Sequence, residues 1–418
     1  MRTVIRGGTL IDGTGRAPVE NGNLLIDDNR IQRVDTARDG FSQEAVDRVI
    51  DASGQYIVPG IINCHDHLED RRSYGPWQER ITRPREIMLL SAVRAALVSL
   101  QEGITTVRDA GGFSSRYLKH ALELGLILGP RFKTCIRPIS QSGGHGVPLS
   151  VEADGPDEVR KTARKLLYAG ADFIKCMASG SVAQATAKRR PGPQLSVPEM
   201  RAAFEEAHKV GRPTTVHAHL PEAIEAAIEA GVDAIEHGLF IDRPTADLMA
   251  KQGIYLVTTL GEPKVSAQEG REWRRPAIQV ERAGSVTDAV LDNFRHAIEA
   301  GVKIAIGTDV MGQIVYEMKL MAECGMSPMD VIVSATRRGA EILNLEHEIG
   351  TLEAGKAADI LILAHDPLQD LEAYSQVKLV IKDGKVIDPA ALEQLVGEPL
   401  RGYLVDHGRL LAPREFPV

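Results

Sequence analysis

Cysteine is scarce in this chain and never occurs in a CxxC pair. Cys64, Cys135, Cys176 and Cys324 are scattered through 418 residues. That distribution excludes a disulfide framework and suits reduced thiols. Long apolar runs are missing as well: no stretch approaches the roughly 18–20 apolar residues of a membrane span. The start, Met1-Arg2-Thr3-Val4-Ile5-Arg6-Gly7-Gly8, lacks the continuous apolar segment of a signal peptide. No segment is dense in Lys and Arg, and the 49 basic and 57 acidic residues leave a net charge of −8. A mildly acidic chain of this kind fits neither nucleic acid nor an anionic membrane surface. Internal repeats and low-complexity segments are absent too. Together these absences predict a soluble cytoplasmic protein with a small-molecule partner; a homo-oligomer is a separate expectation.

What is present looks like an enzyme. The 43% hydrophobic and 25% charged fractions are ordinary for a globular chain. The first ~55 residues read as short strands and tight turns, with Asn23 to Ile26 and Ile31 to Val34 joined across Asp27-Asp28-Asn29-Arg30. The far end has the same texture in Ala358 to Leu363, Val377 to Ile381 and, beyond an Asp383-Gly384 turn, Lys385 to Ile387. Neither set can build a good core alone, so both ends are expected to form one small β-sandwich domain, residues 1–58 plus 351–388.

Between them, β-rich runs alternate with amphipathic helical stretches such as Pro198 to Ala207. The runs are Tyr56 to Ile62, Thr105 to Val107, Phe132 to Ile136, Phe173 to Cys176, Thr214 to His217, Ala234 to His237, Ile254 to Val257 and Lys303 to Ile306. Such alternation argues for an α/β fold, here a (β/α)8 TIM barrel over residues 59–350. A doubly wound open sheet is the alternative, but no GxGxxG follows the first strand. Residues 389–418 form a C-terminal extension, expected to be peripheral; Pro413 and Pro417 argue against a helix at its end.

Polar residues fall repeatedly at the ends of these strands, where barrel enzymes gather their chemistry. In His65-Asp66-His67, residues i and i+2 of an extended segment face one side and can converge on one ion. Lys175, flanked by Ile174, Cys176 and Met177, is costly to bury charged. It is either a structural lysine beside an acid or a lysine converted by carbon dioxide to a metal-bridging carbamate. His237 follows His217 by 20 residues, one helix-plus-strand unit, so the two are expected on neighbouring strands in matching phase. Glu236-His237-Gly238 read as a packed turn leaves that phase unexplained. Asp309 could cap a helix, or bind metal and handle a proton. His120, His208, His296, His347, His365 and His407 read as surface or packing residues.

The series Val58-Pro59-Gly60-Ile61-Ile62-Asn63-Cys64-His65-Asp66-His67, Lys175, His217, His237 and Asp309 resembles the amidohydrolase superfamily. Gly129-Pro130-Arg131 with Ser142-Gly143-Gly144-His145-Gly146 is similar to its metal-dependent prolidase and carboxypeptidase branch, imidazolonepropionases being more distant. Gly350 to Asp359 is also typical of the superfamily. The resemblance implies two divalent ions, most often Zn2+. His65, His67 and Asp309 would bind the more buried ion, and His217 and His237 the more exposed one. A CO2-derived carbamate on Lys175 and a hydroxide would bridge them. It implies Asp309 as the catalytic proton carrier and His145, at the end of the third strand, as a ligand of substrate carboxylate or oxyanion. Prolidase-like members often carry tyrosine where this chain has His219, which strand phase turns the same way as His217, toward substrate. The expected activity is hydrolysis of amide-type C–N bonds in dipeptides or N-acyl amino acids with a free carboxylate. Cyclic amides of imidazolone type, or urea and carbamate xenobiotics, are the alternative. A catalytically dead scaffold is a third reading, and the complete set of six ligand positions counts against it.

Overall fold

The structure, a computed structural model, describes residues 1–36, 41, 45–71, 75–181, 192–310 and 312–396. Both ends of the described chain meet in one eight-stranded sheet. Its order runs from Lys385–Ile387 through Val377–Lys382, Ile360–Leu363, Tyr56–Pro59, Arg2–Leu10 and Val19–Asp27 to Arg30–Asp35, and Arg48–Asp51 also pairs with Arg2–Leu10. The expected turns are there. Asp27 pairs with Arg30 across one, and Lys382 with Lys385 across the other. Asp383 and Gly384 both have positive φ, as a tight two-residue hairpin requires. A Cβ on Gly384 would lie 1.8 Å from the Asp28 carbonyl oxygen, so glycine is what lets the two turns touch.

Strand Ile360–Leu363 shows how this sheet is attached. Ile360 and Ile362 pack with Ile5, Leu24, Ile26 and Ile57, whereas Leu361 and Leu363 join the main core. The two-residue period of a strand thus places its alternate side chains in different cores, which is why all four residues are buried.

The middle of the chain is parallel α/β. Ile61–Asp66, Ile104–Asp109 and Arg131–Thr134 form a three-stranded sheet. A seven-stranded sheet follows the order Val151–Glu152, Ile139–Ser140, Ile174–Met177, Thr214–Ala218, Ala234–His237, Tyr255–Thr258, Lys303–Ile306. Most of these strands are buried along their whole length, as expected where helices cover the outer face. The two sheets touch: the N–H groups of Thr308 and Asp309 both donate to the His65 carbonyl at 2.9 Å, and Asp172 N–H donates to Thr134 O at 2.8 Å. Helix Val197–His208 matches the amphipathic stretch seen in the sequence, and the Ser196–Glu199 capping box sets its start.

Three readings of the sequence need correction. The run Tyr56 to Ile62 is two strands broken at Gly60, one in each kind of sheet. The run Phe132 to Ile136 ends as a strand at Thr134, because Ile136 takes φ of 66°, and the short strand Ile139–Ser140 then pairs with Ile174–Met177. The start of the extension is not peripheral: Pro389–Val396 is helical, Leu392 is buried in the main core, and Arg94 Nε donates to Val396 O at 3.1 Å. Pro413 and Pro417 lie outside the described residues. Among the described residues no helix is long and apolar enough to cross a membrane.

Candidate metal centre

Strand Ile61–Asp66 is wholly buried and delivers His65 at its end, with His67 one residue beyond. His65 Nδ1 lies 2.6 Å from Glu236 Oε2, and His67 Nδ1 lies 2.6 Å from the Gly111 carbonyl. These partners accept, so Nδ1 of each ring carries the proton and Nε2 keeps its lone pair. His237 Nδ1 is 2.8 Å from Thr259 Oγ1. His217 Nε2 and His219 Nδ1 are buried and have no hydrogen-bond partner among the described residues. A buried orphan ring nitrogen asks for an explanation, and an electrophile supplies one.

The rings are gathered tightly. Centroid separations are 4.7 Å for His65–His237, 4.5 Å for His217–His237 and 4.4 Å for His217–His219. Ligand atoms of His65, His237 and Asp309 all lie within 4.8 Å of one another. Lys175 Nζ is 3.4 Å from His65 Nε2. All six ligand candidates, with His145 and His219, line one cavity of about 210 Å³.

Electrostatics put these groups in their metal-binding forms. Burial, and next the Lys175 charge, lowers the His65 pKa. Burial and neighbouring rings hold His217 and His237 well below the ordinary value, and His219 down to about 3. Burial also lowers Lys175, favouring the free amine that carbamate formation needs. For Asp309 burial raises the pKa, but His65, His67 and Lys175 outweigh it and the net direction is down. Neutral imidazoles and a carboxylate are donors that a divalent metal ion takes.

The phase argument for His217 and His237 needs revision. In the parallel register His217 is opposite Glu236, and His237 is opposite Ala218. His237 takes φ of 71° at the strand end, and Asp309 takes 55° at its own. Strained left-handed backbone at two ligand candidates, not strand phase, directs these side chains. Gly307, just before, is needed for close approach: a Cβ there would be 2.6 Å from His65 Cβ.

His145 is not at the end of the third strand. It lies in the turn beyond Ile139–Ser140, its N–H donates to Gln194 Oε1 at 2.9 Å, and its ring sits 4.2 Å from that of His217. His219 is buried, and its N–H donates to Ser179 Oγ at 3.2 Å. Of the polar loop after the first strand, Glu69 accepts from the Phe113 and Ser114 N–H groups, and Asp70 pairs with Arg80. Arg72 to Tyr74 lie outside the described residues. His208 bonds Asp233 at 2.8 Å, His347 is exposed, and both stand apart from the cavity lining. His407 lies outside the described residues.

Sequence reasoning missed the support beneath His65. Glu236, fully buried, also accepts from Arg108 Nη1 at 2.6 Å and from Thr215 Oγ1. Arg108 donates to the Cys64 carbonyl at 2.9 Å as well. Burial opposes ionisation of Glu236, but Arg108 and His65 outweigh it and hold the carboxyl far below its usual range. The available signal was an acid inside an apolar strand, Ala234-Ile235-Glu236-His237.

The sequence model of the amidohydrolase family matches residues 56–387. The chain belongs to that family. It is 30% identical to ochratoxinase of Aspergillus niger over 432 aligned positions, covering 92% of this chain and 86% of that one. It is 29% identical to imidazolonepropionase of a Bradyrhizobium species, covering 85% and 91%. The solved structure of a prolidase complexed with n-methylphosphonate-L-proline superposes with a TM-score of 0.85 at 29% identity, covering 93% of this chain and all 100% of that one. This amidohydrolase is therefore of the prolidase-like branch, a hydrolase acting on C–N bonds.

Proposed function

We propose that this amidohydrolase is a binuclear metal-dependent hydrolase of amide bonds in dipeptides or N-acyl amino acids that carry a free carboxylate. The observation that carries the reading is the convergence of His65, His67, Lys175, His217, His237 and Asp309 on one cavity, with His217 Nε2 buried and unpaired among the described residues. His65, His67 and Asp309 would hold one ion, His217 and His237 the other, and a carbamate on Lys175 would bridge them. When bound, two zinc ions supply Lewis acidity and make water nucleophilic at neutral pH.

The chain's own groups do the rest. Water oxygen bonds to the substrate carbonyl carbon as its proton passes to an Asp309 carboxylate oxygen. The same proton then goes to the amide nitrogen as the C–N bond breaks. His145 and His219 are the candidates to hold the substrate carboxylate or the developing oxyanion. The named activities of the relatives, a prolidase among them, support a peptide-like substrate. A closed (β/α)8 barrel over 59–350 and a small sandwich from 1–58 plus 351–388 complete the proposed architecture. The same reading carries a cytoplasmic homo-oligomer.

Metal analysis of the purified protein together with rates on dipeptides, N-acyl amino acids, cyclic amides, ureas and carbamates tests the proposal. Two ions per chain and turnover of carboxylate-bearing amides are expected. Turnover confined to cyclic or xenobiotic amides would replace the leading reading with its alternative. A stoichiometrically metal-free, inactive protein would indicate a scaffold.

A further inference from the structure

The cavity has a charged wall that the mechanism above leaves unused. Asp70, Arg80, Glu262 and Arg275 line it beside the histidines, and Arg80 with Asp70 forms an ion pair. Glu262 lies in the first turn of helix Gly261–Glu269, which follows strand Tyr255–Thr258. An acid in that position ordinarily serves the unpaired N–H groups of the helix. Here Glu317 does so instead, its carboxylate accepting from Leu260 N–H at 2.8 Å and Gly261 N–H at 2.6 Å. Glu262 is thus released to face the cavity. Its Oε1 accepts from Ser266 Oγ at 2.9 Å, and among the described residues its Oε2 has no hydrogen bond. Asp309 opposes its charge, while Arg275 and Arg80 favour it. A carboxylate oxygen left open at a cavity wall can accept from the donors of a cation.

We propose that Glu262 receives a free α-ammonium group of the substrate, so that the cavity selects unblocked dipeptides over N-acylated or uncharged amides. The inference rests on the amide-hydrolase reading above and narrows it. An ammonium brings three donors and a full charge to Oε2, an ion pair that an acetylated nitrogen, with one uncharged N–H, cannot make. Uncharged ureas and carbamates would cover the charged wall without compensating it.

The test uses metal-loaded protein with alanyl-leucine and N-acetyl-alanyl-leucine. The wild type is expected to prefer the free amine by about tenfold or more in kcat/KM, mainly through KM. Glu262→Gln should collapse that ratio toward one, and Glu262→Asp should recover part of it. A wild type indifferent to acetylation, or a ratio that survives in Glu262→Gln, overturns the proposal. If neither compound is cleaved, nor any other dipeptide or N-acyl amino acid of the panel above, the peptide-hydrolase reading fails, and Glu262 is judged from calorimetric binding of the same pair to the same protein. Tighter binding of the free amine, lost in Glu262→Gln, upholds its role, and equal affinities end it.

Discussion

His65 and Glu236, 171 positions apart in the chain, meet at 2.6 Å in a completely buried contact. The carboxylate accepts a hydrogen bond from Nδ1–H, so the ring presents Nε2 toward Lys175 and the cavity. Arg108 on the other Glu236 oxygen keeps that carboxylate ionised.

Replacing Glu236 by glutamine should therefore weaken metal binding by about 10–100-fold, the usual effect of losing such an orienting partner. It also leaves the Arg108 charge buried without its counter-ion, at a cost of about 3–5 kcal/mol. Competition with a chelator and a thermal melt check the two effects separately. An unaltered metal affinity would remove the orienting role.

Lys175→Ala should abolish turnover, because the variant cannot form the carbamate. Acetate or propionate is expected to restore part of it by occupying the vacated space with two oxygens. Rates measured with and without the additive decide the matter; full activity without any additive would show that Lys175 is no bridge.

Asp309→Asn keeps an oxygen at the same place but loses the carboxylate proposed to carry the proton. Most of the metal should stay, and kcat should fall by at least about 100-fold, the lower range for general acid–base catalysis. Metal content and kcat on one preparation test this, and near-normal turnover refutes the assignment.

Glu317 gives a pH-dependent prediction away from the histidines. Burial raises its pKa to about 7, despite the Leu260 and Gly261 N–H groups it accepts from. A carboxyl raised on folding binds its proton more tightly in the folded chain, so its contribution is full below the unfolded pKa. That contribution is lost as pH rises through the folded value near 7. A glutamine in its place mimics only the protonated form. The stability advantage of wild type over Glu317→Gln should therefore shrink between about pH 4.5 and pH 7, by up to about 3 kcal/mol. Melts of both proteins at pH 5 and pH 8 measure it. A gap that widens with pH would contradict the assignment.

Which residues could act was already legible in the order of side chains along the chain. Their chemistry stands out against apolar strand runs: His65, Lys175, His217 and His237 are polar within buried strands, His67 and Asp309 follow strand ends, and all six line the cavity. The alternation of strands and helices, and the pairing of both chain ends in one sheet, were legible for the same reason, because hydrophobic period and turn chemistry are local properties. How the side chains are aimed was settled by folding alone. The positive φ of His237 and Asp309 depends on surrounding packing that no local pattern encodes. The break at Gly60 falls where a Cβ would lie 2.1 Å from Thr105 Oγ1, and the detour through Ile139–Ser140 follows the positive φ of Ile136. Glu236 and Arg108 gained their roles from partners far away in sequence. A buried charge is defined by its neighbours, and neighbours are what folding supplies.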